Sequence, residues 1–373
     1  MNPVPVAFYA PMKPPDHAQP SGDRTMARLL LRALGSAGYA PEIASRIRTW
    51  EAGGDEVRQR AIRAASLEEA ERLAAGYARS PAQARPRLWF TYHCYYKAPD
   101  HLGPEIARRL GIPYVIAEAS RAPKRAGGPY AFANAAAEDA IAAADTLFVM
   151  TGQDRECLER ALRPGQRLIA LPPFVDAAPL AVSSRRSSGS VRLLAVGMMR
   201  PGDKLSSYRI LAEALARIPD LPWFLDVAGD GMARPEVERL FAGFGSRVTL
   251  LGARDEASLA SLYAHADLLV WPAVNEAYGM ALLEAQAQGC PVVAGRCGGV
   301  PDVVLDGVTG RLAPPGETGA FAEAVAALVG DPVRRAEMGE AALRFVRRER
   351  SLAGAAAILR EALGPLVALP GAA

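Results

Sequence analysis

Two rhythms of apolar and polar positions alternate along the chain. Short apolar runs bounded by turn residues occur at Val4–Tyr9, Leu88–His93, Tyr114–Glu118, Thr146–Thr151 and Leu168–Leu171, the pattern of buried parallel strands. Between them lie stretches with helical spacing. Met26, Leu29, Leu30 and Leu34 share one face before Gly35 and Gly38, and Pro104–Leu110 stops at Gly111. Ala52–Ala78 is a further helical stretch, rich in Ala, Glu and Arg, that carries no assignable chemistry. Asp176–Ser190 (DAAPLAVSSRRSSGS) has neither rhythm and reads as a linker. The alternation then restarts with Val191–Val196, Trp223–Ala228, Val248–Leu251, Leu268–Trp271, Val292–Ala294 and Thr309–Leu312. Arg334–Leu363 is helical, and Gly364–Ala373 reads as a loose tail.

Strands alternating with helices predict an α/β fold with parallel sheets. The interruption predicts two doubly wound sheets: a first domain over residues 1–175, a linker over 176–190, a second domain over 191–345, and a terminal segment over 346–373. In open sheets of this kind ligands sit beyond the carboxyl ends of the strands, so chemistry is expected in the loops that follow them.

Composition narrows the class of function. Half of the 373 residues are apolar, enough for two cores. Forty-three Lys and Arg against forty Asp and Glu leave a net charge of +3, and no base-reading motif accompanies them, so a nucleic-acid partner is not expected. The basic clusters Arg121–Arg125 and Arg344–Arg350 read first as solvated surface and second as a peripheral patch for anionic lipid head groups. Cys94, Cys157, Cys290 and Cys297 stand far apart, without the close pairs of a zinc site. No apolar run reaches the roughly 18–20 residues of a spanning helix, and the first residues lack a signal-peptide pattern, so a cytoplasmic location is expected.

The strongest chemical signal is Trp271–Glu284 (WPAVNEAYGMALLE), which leaves a strand and enters a helix. Free backbone N–H groups at such a helix start attract phosphate. Gly279 permits close backbone approach, and Glu276 and Glu284, the latter about two turns into the helix, are placed to flank one ligand. Paired carboxylates accept hydrogen bonds from sugar or ribose hydroxyls. On spacing alone, a helix-capping Glu276 and an ordinary surface Glu284 explain the segment equally well. A second segment, Gly197–Lys204, follows the first strand of the second half and offers the cations Arg200 and Lys204.

The first segment resembles the Glu-x7-Glu signature of retaining glycosyltransferases of the GT-B fold, family 4 type. The likeness extends through Gly289-Cys290-Pro291-Val292-Val293, Gly298-Gly299 and Gly307 to Leu312. It implies two Rossmann-like domains facing across a cleft, a nucleotide-sugar donor held mostly by the second and an acceptor held mostly by the first. It also implies a last helix that crosses back to the first domain. The acceptor class stays open between glycan, lipid and small molecule. By the same resemblance Glu276 contacts the transferred sugar, Glu284 the ribose, and the amides of Ala277, Tyr278, Gly279 and Met280 the diphosphate. Gly197–Lys204 resembles the family's Gly-Arg…Lys loop. Lys204 stands where the family lysine is expected, but the arginine position is Met198, which leaves Arg200 as its candidate substitute.

In the first half, Lys13–Arg24 matches the family's glycine-containing loop, which implies a donor-binding Gly22 that approaches the phosphates or the sugar, and His93 matches a histidine at a strand end. The family's second histidine is absent: the place reads Ala117-Glu118-Ala119-Ser120. A packing role and a part in acceptor handling are equally open for His93. Gly229-Asp230-Gly231 lacks the third glycine of a dinucleotide fingerprint and reads as loop geometry, so no NAD is expected. His17, His101 and His265 are isolated and no Asp-x-Asp occurs, so no metal and no cofactor are expected. The resemblance implies sugar transfer with retention of anomeric configuration. Two rivals are a nucleotide-sugar epimerase or hydrolase, which needs a further acid/base pair, and a non-catalytic nucleotide-sugar-binding partner. Met198 favours the latter, and the intact Glu276, Glu284 and Lys204 oppose it.

Overall fold

The computed structural model describes residues 3–176 and 189–367. Most of the expected linker, 177–188, and the last residues of the expected tail, 368–373, lie outside the described residues. The chain divides into two compact units. Unit 1 runs to Pro172 and resumes at Leu352, and unit 2 is Pro173–Ser351.

Unit 1 opens with β1 (Val4–Tyr9), α1 (Gly22–Ser36), β2 (Tyr39–Ser45) and α2 (Glu56–Arg79). It continues with β3 (Trp89–Tyr95), α3 (Gly103–Leu110), β4 (Tyr114–Ser120), α4 (Ala131–Ala143), β5 (Thr146–Val149), α5 (Gly152–Glu159) and β6 (Arg167–Ala170). The strands pair in parallel in the order β2-β1-β3-β4-β5-β6. Because side chains alternate across a strand, Phe90 stacks with Phe8 and Phe148 on one face while Trp89 meets Tyr9 on the other. β2 is absent from the strands expected above. It is an edge strand that pairs only with β1, carries Pro41 and buries few side chains, so its sequence lacks an apolar run.

Unit 2 contains β7 (Val191–Val196), α6 (Asp203–Ala216), β8 (Trp223–Ala228), α7 (Arg234–Phe241), β9 (Val248–Gly252) and α8 (Glu256–His265). β10 (Leu268–Trp271), α9 (Met280–Ala287), β11 (Val292–Gly295), α10 (Val300–Val303), β12 (Gly310–Ala313), α11 (Thr318–Gly330) and α12 (Pro332–Glu349) follow. Their order is β12-β11-β10-β7-β8-β9, again all parallel. This is the dinucleotide-fold order read from the far edge, with its reversal between β7 and β10.

The terminal helical region is two helices. α12 ends at Glu349 in unit 2, and α13 (Leu352–Val367) belongs to unit 1. The crossing therefore begins at Leu352, six residues later than 346, and Gly364–Val367 continue the helix instead of starting the tail. α13 lies on α1, where Arg360 donates to the carbonyls of Ser36 (2.8 Å) and Ala37 (3.2 Å). Those carbonyls close α1 and have no partner within it, so a guanidinium satisfies both. Among the described residues no helix is long and apolar enough to cross a membrane.

Candidate active site

The loops after β7 and β10 flank the strand-order reversal of unit 2, where a doubly wound sheet leaves a crevice. They are tied together side chain to side chain. Lys204, in the first turn of α6, places its Nζ 2.5 Å from Glu276 Oε2. Trp271 Nε1 donates to the same carboxylate oxygen at 3.2 Å, and the ammonium lies 5.4 Å from the Trp271 ring. Asn275 Nδ2 donates to Asp203 Oδ2 (2.8 Å), and Val274 N donates to Ser207 Oγ (3.0 Å). These bonds hold the loop while Ala273 (φ 56°) and Asn275 (φ 49°) occupy the left-handed region, which side chains avoid unless their surroundings enforce it.

Both helices that start here begin at glycine without a side-chain cap, α6 after Gly202 and α9 after Gly279. By contrast Ser21 caps α1 and Asp255 caps α8. An uncapped helix start presents amide donors to an incoming anion. Gly279 has φ 78°, a conformation that turns the chain from the loop into α9. Gly298 is required for a different reason: a Cβ there would stand 2.2 Å from the Glu276 carbonyl oxygen. The Gly298–Gly299 turn thus backs the Glu276 loop, and Gly299 N donates to Ala277 O at 2.5 Å.

Other expected site residues take distinct places. Gly197 follows β7 against the Trp271 ring, and its carbonyl accepts from Tyr208 OH at 2.6 Å. Arg200 shares the β7–α6 loop with Lys204, but its guanidinium rests on Met198 Sδ at 3.1 Å rather than on Glu276. Glu284 is the fifth residue of α9, one turn in rather than two, because Gly279 caps the helix instead of lying inside it. It accepts from Tyr263 OH at 2.9 Å, and burial holds its carboxyl above the usual range although that bond opposes the shift. Tyr278 and Met280 are buried, whereas Ala277 is exposed. In the Gly229–Gly231 turn, Asp230 O accepts from Met199 N, so the turn buttresses the loop after β7.

Gly22 and His93 lie in unit 1, at the reversal between β1 and β3. Gly22 is the first residue of α1 and precedes Asp23, whose Oδ1 is 2.8 Å from His93 Nδ1. Glu118, at the end of β4, brings Oε1 to 4.0 Å from the same nitrogen. His93 and Glu118 both have positive φ, 64° and 61°. Burial disfavours the imidazolium, but the carboxylates of Glu118 and Asp23 override it and push its pKa up to about 9. Burial, reinforced by Asp23 and opposed by His93, pushes Glu118 up to about 7. Asp23 is lowered because its bond to His93 and the charges of His93 and Lys13 outweigh its own burial. The arrangement is a cluster of coupled titratable groups at the carboxyl edge of the sheet, and no sequence motif marks Asp23 and Glu118.

The profile of the family described as Glycosyl transferases group 1 matches residues 190–331. D-inositol 3-phosphate glycosyltransferase 2 of Catenulispora acidiphila is 32% identical over 302 residues, 73% of this chain and 70% of that protein. The chain belongs to the group 1 glycosyl transferases. Its fold is that of sucrose-phosphate synthase from Thermosynechococcus elongatus, with a TM-score of 0.76 at 20% identity over 97% of this chain and 99% of that one. It is also that of Anabaena HepE in complex with UDP-glucose, with a TM-score of 0.70 at 15% identity over 97% and 100% of the two chains. This is the GT-B fold. The family membership makes the chain a glycosyltransferase that uses a nucleotide-sugar donor.

Proposed function

We propose that unit 2 binds the donor at the β7/β10 reversal, that unit 1 receives the acceptor, and that transfer retains the anomeric configuration without a metal ion. One observation carries this reading above the others: Lys204 and Glu276 meet at 2.5 Å beside two uncapped helix starts. Breaking a sugar–phosphate bond builds negative charge on the departing diphosphate, and fixed cations and amides aimed at it lower the barrier. Lys204 is the cation nearest Glu276 and has no other carboxylate partner among the described residues. A bound diphosphate would draw Lys204 from Glu276 and free that carboxylate for hydroxyls of the transferred sugar. The amides from Ala277 to Met280 would complete the phosphate cradle, Arg200 would add charge by rotating from Met198, and Glu284 would accept from the ribose. His93 would stand on the acceptor side, and Gly22 keeps the donor-binding role that the resemblance implies for it.

The HepE structure holds UDP-glucose, which makes uridine diphosphate the first nucleotide to test. The protein is incubated with a panel of nucleotide sugars, with and without acceptors, in the presence of a chelator. Acceptor-dependent nucleotide release supports the reading, and the coupling constant at the product's anomeric carbon decides retention. Release that needs added divalent metal would remove the metal-free part of the proposal. Binding without turnover across the panel would favour a non-catalytic partner.

A further inference from the structure

Trp271 closes β10 five residues before Glu276. It is 2% exposed, so its indole is not a ring laid open for a ligand to stack on. Its surroundings fix it. Tyr208, fully buried on α6, meets it edge-on at 5.1 Å between centroids and donates to the Gly197 carbonyl at 2.6 Å. Gly197 leaves the ring its space, since a Cβ there would stand 2.8 Å from Trp271 Cη2. Packing of this density holds an aromatic side chain in one rotamer.

Both donors to the Glu276 carboxylate converge on one oxygen. Oε2 takes Lys204 Nζ at 2.5 Å and Trp271 Nε1 at 3.2 Å, while Oε1 accepts from no group among the described residues. The two donors differ in what they do when an anion arrives. Lys204 carries a full charge on a flexible stem, so a diphosphate draws it. An indole N–H is neutral and donates only, and here its ring is locked in place. The Asn275–Asp203 and Val274–Ser207 bonds hold the loop but do not reach this carboxylate. Once Lys204 has left, Trp271 is its one remaining donor among the described residues.

We propose that Trp271 is a positioning residue for Glu276: it holds Oε2 when Lys204 turns to the diphosphate, so that Oε1 stays open to the transferred sugar. The inference rests on the reading that the donor lies at the β7/β10 reversal with its sugar at Glu276. Trp271 acts on the sugar half of the donor alone, through Glu276, and a nucleoside diphosphate without the sugar does not sense it.

Labelling tryptophan with ¹⁵N gives one indole signal for each of the four tryptophans, and Trp271→Phe assigns the one concerned. In wild type that N–H is shifted downfield by its carboxylate acceptor. It keeps the shift in Lys204→Ala and during titration with pyrophosphate, and loses it in Glu276→Ala. Loss of the shift in Lys204→Ala, or on saturation with pyrophosphate, overturns the inference. Calorimetry then compares UDP with UDP-glucose. Trp271→Phe weakens UDP-glucose about tenfold and UDP by less than about twofold, and lowers kcat about tenfold. Phenylalanine leaves a gap against Gly197, so the benzothienyl analogue of tryptophan, which keeps the shape and lacks the N–H, is also placed at 271 and gives the same split. Equal weakening of both ligands by the analogue, or of neither, overturns the inference. If wild type takes neither uridine ligand, the nucleotide sugar that releases nucleotide in the panel and its own diphosphate replace them. Pyrophosphate that fails to bind wild type, or binds Lys204→Ala equally well, counts against the donor-site reading instead. The indole signal of Lys204→Ala still decides the role of Trp271.

Discussion

At the strand-order reversal of unit 2 the chain keeps its helix starts uncapped and sets one lysine against one glutamate. At the corresponding reversal of unit 1 it caps α1 with Ser21 and sets a half-buried His93 against Asp23 and Glu118. Both places hold left-handed non-glycine residues, Ala273 and Asn275 in one, His93 and Glu118 in the other. We propose that the difference lies in the charge each crevice meets. Uncapped amides and a lysine would suit a polyanion, whereas a half-buried Asp23, a buried Glu118 and an imidazole would suit hydroxyls. Similar sheets thus present two chemistries because the loops after their strands differ, not because the scaffolds do.

The sharpest break between the two regions is catalytic. Lys204→Ala is expected to lower turnover by about 10²-fold or more, since it removes a charge that acts on the departing diphosphate. Steady-state rates at saturating donor test this, and an unchanged kcat would detach Lys204 from the chemistry. Glu284→Ala acts on binding rather than rate, and nucleotide affinity measured by calorimetry falls about tenfold if Glu284 accepts from the ribose. Asn275→Ala loosens the loop against α6 and costs about 1 kcal/mol in urea unfolding, with a parallel rise in KM for the donor. A stability loss without any KM change would make the Asn275–Asp203 bond a matter of folding alone.

The smallest effect separates the regions by pH. His93 has a folded pKa raised from 6.5 to about 9, so its stabilisation is complete below 6.5 and is lost as pH rises through 9. Glu118 is raised from 4.5 to about 7, so its contribution is likewise present at low pH and lost as pH rises through 7. Unit 1 should therefore be less stable at pH 9 than at 6.5, and His93→Gln should shrink that difference. An equal pH dependence in wild type and variant would show that the groups are not coupled as described.

The unit 2 site was largely legible in the sequence because its parts are local. Trp271–Glu284 and Gly197–Lys204 each follow a strand, and each carries its glycines and charges within a few residues. Their mutual staples were not legible, since Asn275–Asp203 and Val274–Ser207 join residues 72 and 67 positions apart. The unit 1 cluster was hidden for the same reason in stronger form. Asp23, His93 and Glu118 come from α1, β3 and β4, and only the strand order brings them together. His93 drew notice as a histidine at a strand end, while Glu118 registered only as a missing histidine. β2 escaped because an edge strand needs no continuous apolar run, and the last helix was expected from 346 instead of Leu352 because Arg350–Ser351 carries neither glycine nor proline.

The most direct test is a structure with the donor nucleotide bound. The diphosphate is expected at the starts of α6 and α9, with Lys204 Nζ within about 3 Å of a phosphate oxygen and no longer paired with Glu276. A nucleotide bound elsewhere, with the Lys204–Glu276 pair undisturbed, would contradict it.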